Sequence, residues 1–417
     1  MQKLLIISSV WVEPNSSAAG SRMLQLIAYF LSQNYTITYA STSSESDFSV
    51  DLSLKGIDTV NIKINDAEFD VFIEKLNPQI VLFDRFITEE QFGWKIAEIL
   101  PDTLRILDTE DLHFLRKTRG ISIKNKTTFN IKDCLKQEIT KREIASILRC
   151  DLSLIISTYE LNLLQNLFKI DENILHYIPF LLDSLSVKEI NKTPSFEERK
   201  HFYFVGNFLH QPNTNCVLFL KKEIWPKISQ KLPNAELHIY GAYMPEKIKQ
   251  LHNKKERFII KGRAENLNII IQNAKICLAP LLFGAGIKGK FTEAMQNGTP
   301  SITTSIGAEA MHKELDWPGV ISDDSNGIIN ASIELYTNKT LWLIAQQNGI
   351  KIINECYNKS EFSNKLTLKI NAILNNLKLH RQQNFMGELL QHHTLKSTKY
   401  LSKWIEEKNK LQSNTNT

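Results

Sequence analysis

The sequence has few cysteines, and their spacing excludes two common kinds of site. There are five in 417 residues, they are widely separated, and none forms a C-x-x-C pair. An odd, scattered set argues against a disulfide framework and against a cysteine-based zinc site. The pattern is typical of a reducing compartment, so we expect a cytoplasmic protein.

Other motifs that the sequence lacks exclude several classes of enzyme. The chain lacks G-x-S-x-G, H-E-x-x-H and P-loop sequences, which mark serine hydrolases, zinc peptidases and many nucleotidases. Its first apolar run is followed by PNSSAAGS rather than G-x-G-x-x-G, which disfavours a nicotinamide-dependent dehydrogenase. No apolar run approaches the roughly 18 to 20 residues needed to cross a bilayer.

Positive charge is modest overall but locally concentrated. The net charge of +5 does not indicate a nucleic-acid partner. From Arg116 to Arg142, however, nine lysines and arginines stand against only Asp133 and Glu138. Such a stretch suits an anionic acceptor or a peripheral contact with the acidic inner face of a membrane, while an ordinary solvated helix face explains it equally well.

Apolar runs of strand length alternate with helical patterns twice along the chain. The first set ends near residue 180, and the second begins with HFYFVG after a polar interval at about 183–200. Continuous apolar strands indicate parallel sheets covered by helices on both faces. We therefore expect an α/β protein with two Rossmann-like, doubly wound parallel sheets facing a cleft. The predicted domains are residues 1–183, residues 200–375 and a helical return segment with the tail, 376–417.

Residues 280–307, PLLFGAGIKGKFTEAMQNGTPSITTSIG, combine glycines, lysines and a glutamate between two apolar runs. Gly284 and Gly286 would let the backbone approach a ligand, and Lys288 and Lys290 place positive charge just before a helix N-terminus. Glu293 would share a helical face with Lys290, where its carboxylate could accept hydrogen bonds from ribose hydroxyls. The segment is typical of a phosphate-facing loop, although a tight turn before a helix with a surface ion pair also fits.

Five segments occur in an order that matches a known family: EPNSSAAGSRMLQLI, LDTEDLHFLRKTR, FVGNFLHQPNTN, LPNAELHIYG and FGAGIKGKFTEAMQNGTPSITTSIGAEAM. On these segments the chain resembles the GT-B glycosyltransferases, in particular the family-four enzymes that use nucleotide-sugars and retain stereochemistry. The resemblance implies transfer of a sugar to a hydroxyl of a glycan or lipid-linked acceptor, in surface polysaccharide or glycan synthesis. It also implies that no metal or other cofactor is needed. A last helix, near residues 397–410, would pack back on the N-terminal domain.

The resemblance assigns the donor contacts to the second domain. Glu293 looks like the second glutamate of a paired motif that holds the donor ribose. Lys288 and Lys290 lie where the family presents basic groups to the diphosphate. Gly206 and Asn207 would lie at the donor-binding end of this domain.

In the first domain, His113 resembles the histidine that faces the transferred sugar, and it is the catalytic candidate. Gly20 resembles a glycine whose amide approaches a phosphate, and nearby Arg22 either adds charge or merely starts a helix. Asp111 and Arg116 are weaker candidates on the acceptor side. The acids around His113 could instead hold a metal ion, an interpretation we disfavour because the lysines already supply positive charge.

The chain departs from the family pattern at two places. Ala285, eight residues before Glu293, stands where the paired motif usually carries its first glutamate. The usual Arg and Lys pair after Val205 is also absent, so phosphate binding would depend on the lysines near residue 290. Two alternatives stay open: a non-hydrolysing nucleotide-sugar epimerase with a similar nucleotide site, and a catalytically impaired partner subunit that keeps the fold.

Overall fold

Strands and helices alternate through most of the chain in the computed structural model, which describes residues 2–392 and Trp404. The strands are β1 (Gln2–Ser8), β2 (Tyr35–Ser41), β3 (Asp58–Asn61), β4 (Ile80–Asp84), β5 (Leu104–Asp108), β6 (Leu152–Ile155), β7 (Leu175–Tyr177), β8 (Lys200–Val205), β9 (Leu237–Tyr240), β10 (Phe258–Gly262), β11 (Ala274–Ala279), β12 (Ser301–Thr303) and β13 (Gly319–Ile321).

The α-helices connect these strands and then close the chain. They are α1 (Ala18–Ser32), α2 (Glu68–Leu76), α3 (Arg85–Ile99), α4 (His113–Asn125), α5 (Glu138–Arg149), α6 (Thr158–Asn166), α7 (Val187–Ile190), α8 (Gln211–Phe219), α9 (Trp225–Lys231), α10 (Glu246–Lys249), α11 (Leu267–Asn273), α12 (Gly289–Gln296), α13 (Ser305–Ala308), α14 (Ser325–Thr337), α15 (Lys339–Cys356), α16 (Lys359–Asn375), α17 (Leu377–Gln383) and α18 (Phe385–Gln391). Within residues 2–392, every helix is too short or too polar to span a lipid bilayer.

The first sheet has seven strands in the order β3-β2-β1-β4-β5-β6-β7, and neighbouring strands are parallel. β4 and β5 are buried along their whole length because helices cover both faces, which explains their largely apolar sequences. β7 is an edge strand of three residues, too short to give a pattern in the sequence.

The second sheet repeats this plan with six parallel strands in the order β10-β9-β8-β11-β12-β13. In both sheets the strand order reverses beside the first strand, between β1 and β4 and between β8 and β11. Doubly wound sheets bind ligands at the carboxyl ends of the strands beside such a reversal. The predicted fold class, with two Rossmann-like parallel sheets, is confirmed.

The chain returns from the second sheet to the first through its C-terminal helices. Phe362, Leu366, Ile370 and Ile373 of α16 are buried in a hydrophobic core that also contains residues of β1 and β2. α18 then packs against α5. The predicted return of the C-terminal helices is confirmed, and it starts at α16, ahead of the predicted segment 376–417. The helix expected near residues 397–410 lies outside the described residues, apart from Trp404.

Candidate active site

A cavity of about 470 Å³ opens between the carboxyl ends of the two sheets. Its walls come from loops that follow β1, β4, β5 and β6 in the first sheet and β8 to β11 in the second. The volume lies in the range of about 300–1,000 Å³ that is usual for small-molecule sites. The predicted site residues that line it are Asp111, His113, Arg116, Gly206, Asn207, Gly284, Gly286, Lys288, Lys290 and Glu293.

The two glycines of the loop after β11 serve different purposes. Gly284 has room around it, since an added Cβ would meet nothing nearer than Lys288 Cε at 3.6 Å. Gly286 has a φ of 62°, and an added Cβ would lie 2.8 Å from Asp111 Cβ. Its N–H donates to Glu160 Oε1 at 2.9 Å. The Gly286 amide therefore joins the two domains, and the donor-binding role of Gly286, which lines the cavity, stays a prediction.

The predicted charged residues of the second domain, Lys288, Lys290 and Glu293, line the cavity. None of them has an ion-pair partner within residues 2–392. Lys288 precedes α12 and donates from Nζ to the carbonyl oxygen of Gly286 at 2.8 Å. Lys290 donates from Nζ to Asn213 Oδ1 at 2.7 Å. The two lysines bind neutral oxygens, and Glu293 has no ion-pair partner within residues 2–392. All three charged groups are therefore available to a ligand.

Burial shifts the pKa values of these three groups toward their neutral forms. It lowers the pKa of Lys288 to about 8 and also lowers that of Lys290. It raises the pKa of Glu293, an effect that the neighbouring Lys290 partly offsets. An anionic ligand would favour the charged lysines, and hydroxyl donors would favour the ionised glutamate.

Two helix N-termini meet at the cavity. α1 begins at Ala18 after the N-cap Ser17, and α12 begins at Gly289. These ends touch, because a Cβ added to Gly289 would lie 2.6 Å from Ala18 Cβ. The first N–H groups of a helix and its dipole both favour an anion, so the junction suits a phosphate group.

Gly20 and Arg22 do not line the cavity, which corrects two expectations. The Gly20 N–H donates to Ser17 Oγ at 3.0 Å, and an added Cβ would lie 2.4 Å from the carbonyl of Glu13. Glycine is thus required by chain packing. Arg22 is 1% exposed and pairs with Asp108 at 2.8 Å, so its charge is already neutralised inside the first domain.

Gly206 and Asn207 form the turn after β8 and position a lysine. An added Cβ on Gly206 would lie 2.5 Å from the Asn213 side chain. That side chain donates from Nδ2 to the Asn207 carbonyl at 2.8 Å and accepts from Lys290. The glycine therefore leaves room for the asparagine that orients the Lys290 ammonium group.

His113 is fixed at the start of α4 by a buried carboxylate. The backbone N–H groups of His113 and Phe114 donate to the two oxygens of Glu143 at 3.0 and 2.9 Å. The imidazole Nε2 lies 3.6 Å from Asp111 Oδ1. Burial lowers the pKa of His113 to about 3, although Asp111 opposes the shift, so the ring is neutral at pH 7. A neutral imidazole can donate or accept a hydrogen bond at the cavity wall.

Asp111 and Arg116 form an ion pair beside His113. Burial of Asp111 is the largest single influence and acts to raise its pKa, but the charge of Arg116 and the nearby His113 and His210 together outweigh it, and the net shift is downward. The aspartate is therefore ionised, and its charge is balanced before any ligand arrives.

Arg85, His210 and Arg263 also line the cavity, although no sequence motif indicated them, and so does Glu110, one of the acids near His113. Arg85 and Glu110 each follow the carboxyl end of a first-sheet strand, a position that could have identified them. Both have left-handed backbones, with φ of 69° and 57°. Burial, followed by the nearby Asp108, raises the pKa of Glu110 to about 8. Glu110 Oε1 is buried and has no hydrogen-bond partner within residues 2–392.

Two direct side-chain contacts join the domains near the cavity. Arg119 of α4 binds the Glu309 carboxylate through two nitrogens, at 2.7 and 2.8 Å, and donates to the Gly284 carbonyl. Tyr243 Oη of the second domain lies 2.8 and 2.9 Å from the two carboxylate oxygens of Glu13 in the first. A ligand between the sheets is therefore contacted from both domains.

The second domain carries a family signature. Residues 199–338, about a third of the chain, match the family described as Glycosyl transferases group 1. The second domain is that of a group 1 glycosyltransferase. The resemblance found in the sequence is confirmed, as is the expectation of an enzyme that uses a nucleotide-sugar. No curated protein matches the chain in sequence.

Solved structures of glycosyltransferases share the whole architecture. Sucrose-phosphate synthase from Thermosynechococcus elongatus is 15% identical, with a TM-score of 0.66 over 90% of this chain and 100% of that one. S. aureus TarM, solved with Fondaparinux, alpha-GlcNAc-glycerol and UDP, is 11% identical, with a TM-score of 0.69 over 89% and 100%. Anabaena Alr3699/HepE, solved with UDP and glucose, is also 11% identical, with a TM-score of 0.65 over 89% and 100%. At these identities the likeness is one of fold.

Proposed function

We propose that this glycosyltransferase moves a sugar from a nucleoside diphosphate-sugar to a hydroxyl of a glycan or lipid-linked acceptor, with retention of stereochemistry. The observation that supports it is the meeting, at one cavity, of Lys288, Lys290 and Glu293 from the second domain with His113 and Arg116 from the first. The second-domain residues suit the nucleotide of a nucleotide-sugar, and the first-domain residues suit its sugar.

The second domain would hold the nucleotide. The Glu293 carboxylate accepts no hydrogen bond within residues 2–392, which leaves both oxygens to the 2′- and 3′-hydroxyls of a ribose. The diphosphate would lie between the two helix N-termini, where Lys288 and Lys290 add charge. These groups would bind the departing diphosphate more strongly than the intact donor, because negative charge develops there as the sugar leaves.

The first domain would hold the sugar. Ala285 is 8% exposed and packs in the hydrophobic core of the first domain, so the second domain offers no carboxylate at that position. Glu110 lies on the opposite wall of the same cavity and has an unsatisfied oxygen. We assign to Glu110 a hydrogen bond to a donor-sugar hydroxyl, in the role that the missing motif glutamate would fill.

The neutral His113 would bind the sugar beside the reacting carbon. No protein nucleophile is needed, because the departing phosphate oxygen can take the proton of the acceptor hydroxyl as that hydroxyl enters from the same face. The loop contacts between the domains would exclude water, which competes with the acceptor.

Uridine diphosphate is the nucleotide to test first, because the TarM and HepE structures hold UDP. A surface glycan is the proposed product, in line with WaaG, a glycosyltransferase involved in lipopolysaccharide biosynthesis that shares the fold with a TM-score of 0.60 and 10% identity. We place the reaction in the cytoplasm, with a peripheral contact between the basic 116–142 region and the membrane.

A thermal-shift panel of nucleotide-sugars tests the proposal. One donor at 100 times its Kd should add about 2.7 kcal/mol of stability by mass action and raise the melting temperature. Glu293→Ala should lose this shift, while Glu246→Ala, an exposed glutamate in the same domain, should keep it. A panel without any shift would refute the donor assignment. Conversion of the donor to a stereoisomer without acceptor would indicate an epimerase, and binding without any turnover over an acceptor panel would indicate the impaired subunit.

A further inference from the structure

A second group of potential ligands lies away from the cavity, at the amino ends of β8 and β9. His201, Glu236 and His238 each offer one ligand atom, and these atoms all lie within 4.8 Å of one another. None of the three lines the cavity, which opens at the carboxyl ends of the same strands. The group is therefore separate from the glycosyltransferase site.

The sheet itself brings the three side chains together. β8 and β9 are parallel neighbours in which Phe202 is opposite Leu237, so His201 is opposite Glu236. Glu236 and His238 are two residues apart and share one face of the sheet. The backbone N–H of Glu236 donates to His201 Nδ1 at 3.2 Å, and His238 Nε2 lies 2.6 Å from Glu236 Oε2.

The backbone at His201 supports a role for this side chain. Its φ of 66° is left-handed, although it lies inside a strand and is not glycine. Such a conformation is costly and re-aims a side chain, and residues held this way cluster at functional sites. Here it places the imidazole beside that of His238, with ring centroids 4.9 Å apart.

We propose that His201, Glu236 and His238 bind a zinc-like divalent cation that ties β8 to β9. Two imidazoles and one carboxylate are a common zinc ligand set, and the remaining position would be taken by water. The cation would replace the proton that His238 and Glu236 now share. Magnesium does not suit the site, because it prefers an all-oxygen, octahedral set.

The surroundings allow a cation to enter. The side chains of His238 and Glu236 are 16% and 36% exposed, so the group is open to solvent. Lys261 on β10 and Lys200 on β8 add positive charge nearby, and the Glu236 carboxylate is the group that offsets it. We therefore expect weaker binding than at a closed zinc site with four protein ligands.

Titration calorimetry of the full chain with zinc chloride tests the proposal. Wild type should bind one zinc ion that magnesium chloride does not displace, and Co²⁺ in its place should give the visible absorption of a tetrahedral site. Glu236→Gln, which keeps the shape of the side chain, should weaken zinc binding at least about tenfold. The His201→Ala, His238→Ala double variant should lose this zinc ion.

His252→Ala is the matched control, because His252 lies in the same domain outside the group and should bind zinc as wild type does. Circular dichroism of the metal-free variants verifies that they fold. Equal zinc binding by wild type and the folded Glu236→Gln variant would overturn the proposal, as would no zinc binding by wild type. Neither outcome bears on donor binding in the cavity.

Discussion

The two walls of the cavity carry charge in different ways. On the second-domain wall, Lys288 and Lys290 bind neutral oxygens, and within the described part of the chain Glu293 has no ion-pair partner. On the first-domain wall, acids and arginines are already paired, as in Asp84 with Arg85 and Asp111 with Arg116. We infer that the second-domain wall binds the charged groups of the ligand. On the first-domain wall, the paired charges hold His113 and Glu110 in place.

The strongest test of this contrast removes one cation from the second-domain wall and one from the buried ion pairs behind the first-domain wall. Arg22→Met would leave Asp108 buried without a partner, and breaking such a pair costs about 3–5 kcal/mol of unfolding free energy. Lys290→Met should cost only about 1–2 kcal/mol, because it removes one hydrogen bond to a neutral oxygen and one cation–π contact with Phe204. Denaturant unfolding at pH 7 measures both. Equal losses of unfolding free energy in the two variants would contradict the difference in charge pairing between the two domains.

The next largest effect separates catalysis from binding. His113→Ala should lower kcat by about 100-fold, as expected for loss of one positioned hydrogen-bonding group, while the Kd for the nucleotide stays within a few-fold. Steady-state kinetics and calorimetry give the two quantities. His252→Ala, in the second domain, should leave both unchanged. If His113→Ala weakened nucleotide binding and left kcat intact, the histidine would belong with the donor contacts.

In contrast to His113→Ala, Glu293→Ala should weaken nucleotide binding. Loss of charge-assisted hydrogen bonds to the ribose is worth about 1.5–3 kcal/mol, which corresponds to roughly 10- to 150-fold in Kd. Calorimetry with UDP and with its deoxyribose analogue should show that the variant binds the two nucleotides with equal affinity. Unchanged UDP affinity in Glu293→Ala, with the exposed Glu246→Ala as control, would refute the ribose assignment.

The smallest expected effect is a pH dependence of diphosphate binding. Burial lowers the pKa of Lys288 to about 8, so the ammonium form is dominant below that pH and is lost above it. An anion binds the charged form, and UDP affinity should therefore fall by up to about tenfold per pH unit above pH 8. Lys288→Arg stays charged and should flatten the profile between pH 7 and pH 9. A steep profile in Lys288→Arg would assign the titration to another group.

The sequence predicts the second-domain wall better than the first-domain wall, and chain distance is the reason. Gly284, Lys288, Lys290 and Glu293 lie within ten residues, so a local pattern of glycine, charge and helix predicts their common location. The doubly wound fold was also predictable, because strands buried on both faces are continuous apolar runs.

The first-domain wall could not be predicted in the same way. The arginine at position 22 looks like a ligand contact until its partner, 86 residues away on β5, is brought beside it by folding. Gly286 has the sequence context of a ligand-binding glycine, but its close contact with Asp111 of the other domain appears only in the folded chain. The burial that raises the pKa of Glu110 is likewise a property of the packed domain and not of its neighbours in sequence.

Hydrogen exchange of backbone amides, with and without saturating UDP-sugar, tests the central claim most directly. If the donor binds between the two sheets through its diphosphate, exchange should slow together at the start of α1, near residues 17–20, and at the start of α12, near residues 289–292. Protection confined to one domain, or protection at neither helix, would contradict the account.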